Sequence, residues 1–212
     1  MDTEWKSGCP EWITENGSHD AEGKRRRVLK RLVEEDYANP PSAEMVKSWH
    51  KEMFDGIAPI SDYVGQFRDK DLTSYCLQDY EVEVGGIPGT DSSHVLTEVD
   101  SFFKEFNTKL DSLEATFPTG GSRPPTLSDI SGVVELTAWA HGEWVRIHPF
   151  ANGNGRTARL IANYVLVRFG FGPALIIRPR PDQPYGKAAR ASMLRDHKLM
   201  EDFIWKLLAD SY

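Results

Sequence analysis

The chain has 212 residues, 40% of them apolar and including 6 Trp and 10 Phe, enough for one globular domain with a sizeable core. With 32 acidic against 25 basic side chains its net charge is -7, which excludes a general nucleic-acid binder. No apolar run is long enough to span a membrane, and the first residues lack a signal-peptide pattern.

The N-terminal stretch 1–20 is polar, with Trp5 and Trp12 as isolated anchors, and predicts a flexible segment ahead of a domain at 21–212. The only two cysteines are Cys9 and Cys76. They could pair, but nothing demands a disulfide framework, no metal-type Cys/His spacing occurs, and a reducing cytoplasm is the simplest home. From Glu22 to Asp36, Val28, Leu29, Leu32 and Val33 fall at helical spacing, and Lys24 to Arg27 form a solvated basic face of that helix. Pro40-Pro41-Ser42 breaks it and caps a second helix carrying Met45, Val46, Trp49 and Met53. Turn-rich sequence follows, with Asp69 and Asp71 as loop solvation; Val82 and Val84 alternate with acidic residues before Gly85-Gly86, a pattern for a short hairpin. Val95, Val99, Phe102, Phe103, Phe106 and Leu110 make the cleanest amphipathic helix. After a Pro/Gly-rich loop at 117–127, a helix from about Asp129 to Ile147 is apolar nearly all round and belongs at the centre. Further helices are expected over 157–167 and within 184–209. The fold class is mainly α with a small β element. The histidines His50, His94 and His141 read as structural.

Between the central helix and the next lies the most informative stretch, His148-Pro149-Phe150-Ala151-Asn152-Gly153-Asn154-Gly155-Arg156-Thr157-Ala158-Arg159. The proline pushes His148 out of helical geometry, so the helix should stop there and present the imidazole at its end. Histidine can take a proton near neutral pH. Gly153 and Gly155 permit a tight turn into the following helix, and such a turn aims backbone N–H groups at one point, a natural anion site. Arg156 and Arg159 share a face of that helix and can add charge-assisted hydrogen bonds to phosphate oxygens. A base beside an anion cradle points to phosphoryl-type chemistry on a nucleotide.

This segment resembles the Fic family signature HPFxxGNGRxxR, with all eight fixed positions matched. Trp49 to Phe54 and Gly65-Gln66-Phe67-Arg68 are similar to the family's early helix and G-x-[FY]-R turn, and Val82 to His94 falls where it carries a target-clamping hairpin, the flap. The resemblance covers roughly residues 20–208. It implies a Fic-type helical core and an adenylyltransferase that moves AMP from ATP, with magnesium, to a Ser, Thr or Tyr hydroxyl of a protein partner. His148 would be the general base. Gly153, Asn154 and Gly155 would form the anion hole, Arg156 would hold the β-phosphate and Arg159 the γ-phosphate, and Phe150 would anchor the loop. Tyr185 would contact the nucleotide; the family's Asn after it is matched only by the nearby Ser192.

The residue before Gly153, commonly an acidic magnesium ligand, is here Asn152, a weaker candidate for the metal. That keeps open a relative using another nucleotide or phosphate-containing donor, and a nucleotide-binding module with little catalysis. Ser18-His19-Asp20-Ala21-Glu22-Gly23 resembles the family's inhibitory motif [ST]xxxE[GN], in which Glu22 would pair with Arg159 and spoil the γ-phosphate site. The resemblance also leaves a homodimer open.

Overall fold

The computed structural model describes residues 4–12, 19–69, 74–118, 123–181 and 183–211. Two short hairpins and seven helices appear among them: β1 (Glu4–Lys6), β2 (Cys9–Pro10), α1 (His19–Glu34), α2 (Ala43–Phe54), β3 (Glu83–Val84), β4 (Ile87–Pro88), α3 (Val95–Glu114), α4 (Leu127–Ile147), α5 (Asn154–Arg168), α6 (Tyr185–Ser192) and α7 (Lys198–Ser211). The mainly α reading with a small β element therefore holds. Ser18 and Asp71 lie outside the described residues, as does the 119–122 part of the predicted loop.

Helix α4 is the axis. Residues on all its faces are buried, from Val133 and Val134 through Ala138 and Ala140 to Trp144, Val145 and Ile147. It packs on α3, α5, α6 and α7. Its start is set by a capping box in which the Thr126 hydroxyl accepts from Asp129 N–H while the Asp129 carboxylate accepts from Thr126 N–H. The predicted cap Ser42 is confirmed: its hydroxyl accepts from Met45 N–H at 3.2 Å. Helix α3 follows the apolar stripe read from the sequence, and Phe102 and Phe106 from it pack against Trp139 and, for Phe102, Trp144.

Within the polar segment 1–20, the described residues 4–12 carry a strap that composition does not announce. Residues 4–10 form an antiparallel hairpin pairing Glu4 with Pro10 and Lys6 with Cys9. Cys9 is bonded to Cys76, and Trp12 is only 3% exposed. The polar composition hid this because the strap is held by a disulfide, an aromatic ring and scattered hydrogen bonds, none of which produces a periodic pattern. A disulfide suits an oxidising compartment and counts against the reducing cytoplasm inferred from the sequence. Among the described residues, no helix is long and apolar enough to cross a membrane.

Candidate functional site

Helix α4 ends where His148 was expected to end it. His148 caps the helix in the left-handed region, φ 54 and ψ 55, and its N–H donates to Trp144 carbonyl. A non-glycine residue is uncommon there and must be held by its surroundings. The holder is Arg68, whose fully buried guanidinium donates to the carbonyls of His148 at 2.7 Å, Ile147 at 3.2 Å, Tyr80 at 3.0 Å and Thr90. Arg68 thus ties the end of α4 to the base of the β3–β4 flap. Burial pulls its pKa down to about 10, with Glu81 opposing, so it stays charged.

The His148 ring turns Nδ1 to the Val145 carbonyl at 2.8 Å. A carbonyl only accepts, so Nδ1 carries the proton and Nε2 keeps its lone pair. Burial pushes the imidazole pKa down to about 4, the Val145 carbonyl pulls the other way, and Arg68 lowers it further. The ring is therefore neutral at pH 7 and able to accept a proton.

The ring lines a cavity of about 700 Å3 whose walls include Asn152 to Arg156, Arg159 and Tyr185. Gly153 initiates α5 with φ 83, and a Cβ there would lie 2.5 Å from the Phe54 ring, so both conformation and space require glycine. Asn154 closes the turn with its own side chain: Phe150 N–H donates to Oδ1 and Nδ2 donates to Phe150 carbonyl, both at 2.8 Å. Phe150 is wholly buried, stacked on His50 with centroids 3.8 Å apart. This anchoring leaves the Asn154 and Gly155 N–H groups at the helix start without an intrahelical partner. Gly153 N–H, by contrast, is spent on Asn152 Oδ1 at 2.6 Å.

Arg156 and Arg159 both face the cavity. Arg156 lies over the Phe54 ring, its guanidinium carbon 4.4 Å from the centroid, and donates to Asn152 Oδ1 at 3.1 Å. Burial, followed by Arg178 and then Arg159, lowers its pKa to about 9. The like charges make this end of the cavity favourable for an anion. Arg159 donates to Tyr185 hydroxyl and Ile177 carbonyl, each at 2.8 Å. Tyr185 in turn meets His141 Nε2 at 3.0 Å. Burial pushes the His141 pKa down to about 3, so this ring is neutral. The structure thus brings together His148, Gly153, Asn154, Gly155, Arg156, Arg159 and Tyr185.

Glu22 is not brought to Arg159. It is exposed and pairs with Arg26 one turn along α1. Asn152 does not present a free carbonyl oxygen either, because Oδ1 faces Gly153 N–H and the Arg156 cation while Nδ2 donates to Trp12 carbonyl at 2.7 Å. An oxygen already shared by two donors, one of them cationic, does not fit a magnesium ligand. No cluster of three or more metal-binding side chains occurs among the described residues.

Sequence reasoning missed several parts of the site. Arg178 and Arg180, in the loop before α6, line the cavity. Glu11 and Trp12 from the strap and Glu81 and Glu83 from the flap form other walls. His50 reads as structural, and its structural task is to order the site: Nδ1 accepts from Gly65 N–H at 2.9 Å, so Nε2 donates to Asn152 carbonyl at 3.1 Å. The G-x-[FY]-R turn lying beside a histidine-bearing helix was the available signal for it.

Comparisons with known proteins agree with this architecture. The family model described as Fic/DOC family matches residues 40–166. Protein adenylyltransferase Fic of Nematostella vectensis is 54% identical over 43 residues, 20% of this chain and 10% of that protein. Protein adenylyltransferase fic-1 of Caenorhabditis elegans is 49% identical over 43 residues, 20% of this chain and 8% of its own. The matched stretches are therefore about a tenth of these relatives' length. Among solved structures, a Fic domain containing signaling protein from Bacteroides thetaiotaomicron superposes with a TM-score of 0.66 at 19% identity, covering 94% of this chain and 73% of that one. The BepC protein of Bartonella tribocorum, with bound AMPPNP, gives 0.58 at 14% identity, covering 93% and 91%. At such identities the likeness shows the fold. The family model spans more than half of the sequence, including the whole signature that builds the cavity, and the chain belongs to the Fic/DOC family.

Proposed function

We propose that the chain is a protein adenylyltransferase. The observation that carries this reading is a neutral imidazole, with Nε2 as its available base, in the wall of one cavity with the α5 anion turn and two arginines. The target hydroxyl oxygen attacks the α-phosphorus of ATP, the bond to the bridging oxygen breaks, and pyrophosphate leaves while His148 Nε2 takes the hydroxyl proton. Positioning and charge stabilisation do most of the work in such a transfer. The Asn154 and Gly155 N–H groups with Arg156 hold the leaving phosphates, and Arg159 the terminal one. The base supplies a further factor of roughly 10² to 10⁴. The names of the short matching relatives and the AMPPNP in BepC support ATP as donor.

His148→Ala is expected to abolish transfer of labelled AMP onto the protein itself or an acceptor, with ATP affinity changed less than threefold in calorimetry. Wild-type transfer by that variant would falsify the role of His148. Asn152 favours a second reading, in which the donor is another nucleotide or phosphate-bearing molecule, because the side chain is committed to hydrogen bonds within the chain. Following transfer from each labelled nucleotide separates the two.

Restraint by Glu22 belongs to the same proposal. What supports it is the motif, together with the place of α1: it packs on α5, and Arg25 lies near enough to the cavity-lining Arg178 to feel its charge. Restraint would require Glu22 to exchange Arg26 for Arg159.

A further inference from the structure

The strap at 4–12 is fastened at several points. Cys9 is bonded to Cys76, and the Lys6 ammonium donates to the carbonyls of Tyr75 at 3.1 Å and Gln78 at 3.4 Å. Pro10 carbonyl accepts from Tyr63 hydroxyl at 2.8 Å. The Trp12 ring lies parallel to Tyr63 at 6.1 Å and edge-on to Phe54 at 5.0 Å. These contacts fix the Trp12 carbonyl at the one place where it meets Asn152 Nδ2, 2.7 Å away.

The other half of the same amide reaches into the phosphate cradle. Oδ1 accepts from Gly153 N–H at 2.6 Å and from Arg156 at 3.1 Å. The network allows only one orientation of the amide, with oxygen toward the two donors and nitrogen toward the carbonyl. His50 holds the Asn152 backbone from behind at 3.1 Å. An aspartate here would set its second oxygen against the Trp12 carbonyl, two acceptors with no proton between them. Asparagine is what the strap demands.

We propose that Asn152 is a positioning residue that clasps the N-terminal strap to the anion turn and, through Oδ1, aims Arg156 at the donor phosphates. The strap is then part of the phosphate-binding apparatus, and position 152 orders an arginine in place of carrying a cation. The inference rests on the transferase reading for what is bound, and on the hydrogen-bond network for how.

The test uses the full chain in magnesium-free buffer with a chelator. Calorimetry gives the Kd of inorganic tripolyphosphate and of a non-hydrolysable ATP analogue for four proteins: wild type, Asn152→Ala, Cys9→Ser/Cys76→Ser, and the three changes together. Each of the two partial variants is expected to bind about five- to tenfold more weakly, of the order of one ordinary hydrogen bond. The triple variant should bind within about twofold of Asn152→Ala, since in the proposal the strap acts on Arg156 through that one amide. In a separate transfer assay with magnesium restored, KM for ATP should rise in the same ratios while kcat stays within about twofold. Losses that multiply, a disulfide-free variant binding like wild type, or an Asn152→Ala protein binding like wild type would each overturn the proposal. Hydrogen exchange guards against a folding artefact: in Asn152→Ala the amides of 6–12 should exchange faster while those of α4 stay protected, and an unchanged strap would also overturn it. The expected binding losses without AMP transfer by any form, assayed with magnesium restored and in a Glu22→Gly background, would defeat the transferase reading and leave the clasp standing. Transfer with unaltered binding would do the reverse, and a wild type that binds neither probe defeats both.

Discussion

At the scale of single residues, the site is set by what each polar atom is already doing. His148 has one nitrogen committed to Val145 carbonyl and its pKa held down to about 4, chiefly by burial. Protonation would disable the base, so the acid limb of kcat against pH should fall well below 6.5, the ordinary histidine value. A profile that turns down at pH 6.5 would mean that water reaches the ring. Gly153→Ala should remove anion binding and cost several kcal/mol of stability, about 3 or more, because the new methyl strains the backbone and strikes Phe54; the denaturation midpoint and tripolyphosphate affinity measure the two effects. His148, Arg156 and Arg159 were legible in the sequence because a contiguous motif encodes them. His50, Arg178 and Arg180 were not, because their roles depend on which segment folds back against the turn, and spacing along the chain does not record that.

At the scale of elements, periodicity served the helices well: α4 begins and ends within about two residues of the pattern-based bounds and α3 carries the whole apolar stripe, as expected when a buried face dictates the apolar positions. The flap was legible from two alternating valines and a Gly-Gly turn. The strap was not, since its strands carry no alternating valines to announce them. Arg68 joins these elements. Arg68→Met would leave four carbonyls near the flap base without their donor, and is expected to lower unfolding free energy by about 4 kcal/mol, read from chemical denaturation. Arg68→Lys should recover only part, because one ammonium cannot span the same fork. Helix α1 offers the regulatory experiment. Glu22→Gly, or Glu22→Gln to keep shape, should raise self-modification with ATP, and Arg159→Ala should not be rescued by either, since on the proposed reading that arginine holds the γ-phosphate once freed. Unchanged self-modification in an otherwise active protein would reduce the 18–23 motif to a helix start.

For the molecule as a whole, the buried histidines link folding to acidity. His50 and His141 are fully buried, and burial pushes both down to about 3. Unfolded, each would titrate near 6.5. Between pH 6.5 and 4 the unfolded chain therefore binds protons that the folded chain refuses, and stability falls as pH is lowered, by about 1.4 kcal/mol per unit for each ring. Above pH 6.5 this contribution is fully present. Replacing His141 with Gln should flatten the acid side of a plot of melting temperature against pH, while a parallel curve would show that the ring titrates normally.

The Cys9–Cys76 bond spans 67 positions of sequence, from the strap to the segment leading into the flap. Protein produced in a thiol-rich host and protein exported through an oxidising one would share every residue yet differ by two hydrogen atoms. A weighed intact mass would tell the two preparations apart, and if the proposed clasp holds, a difference between them in anion affinity would trace to the host before it traced to the assay.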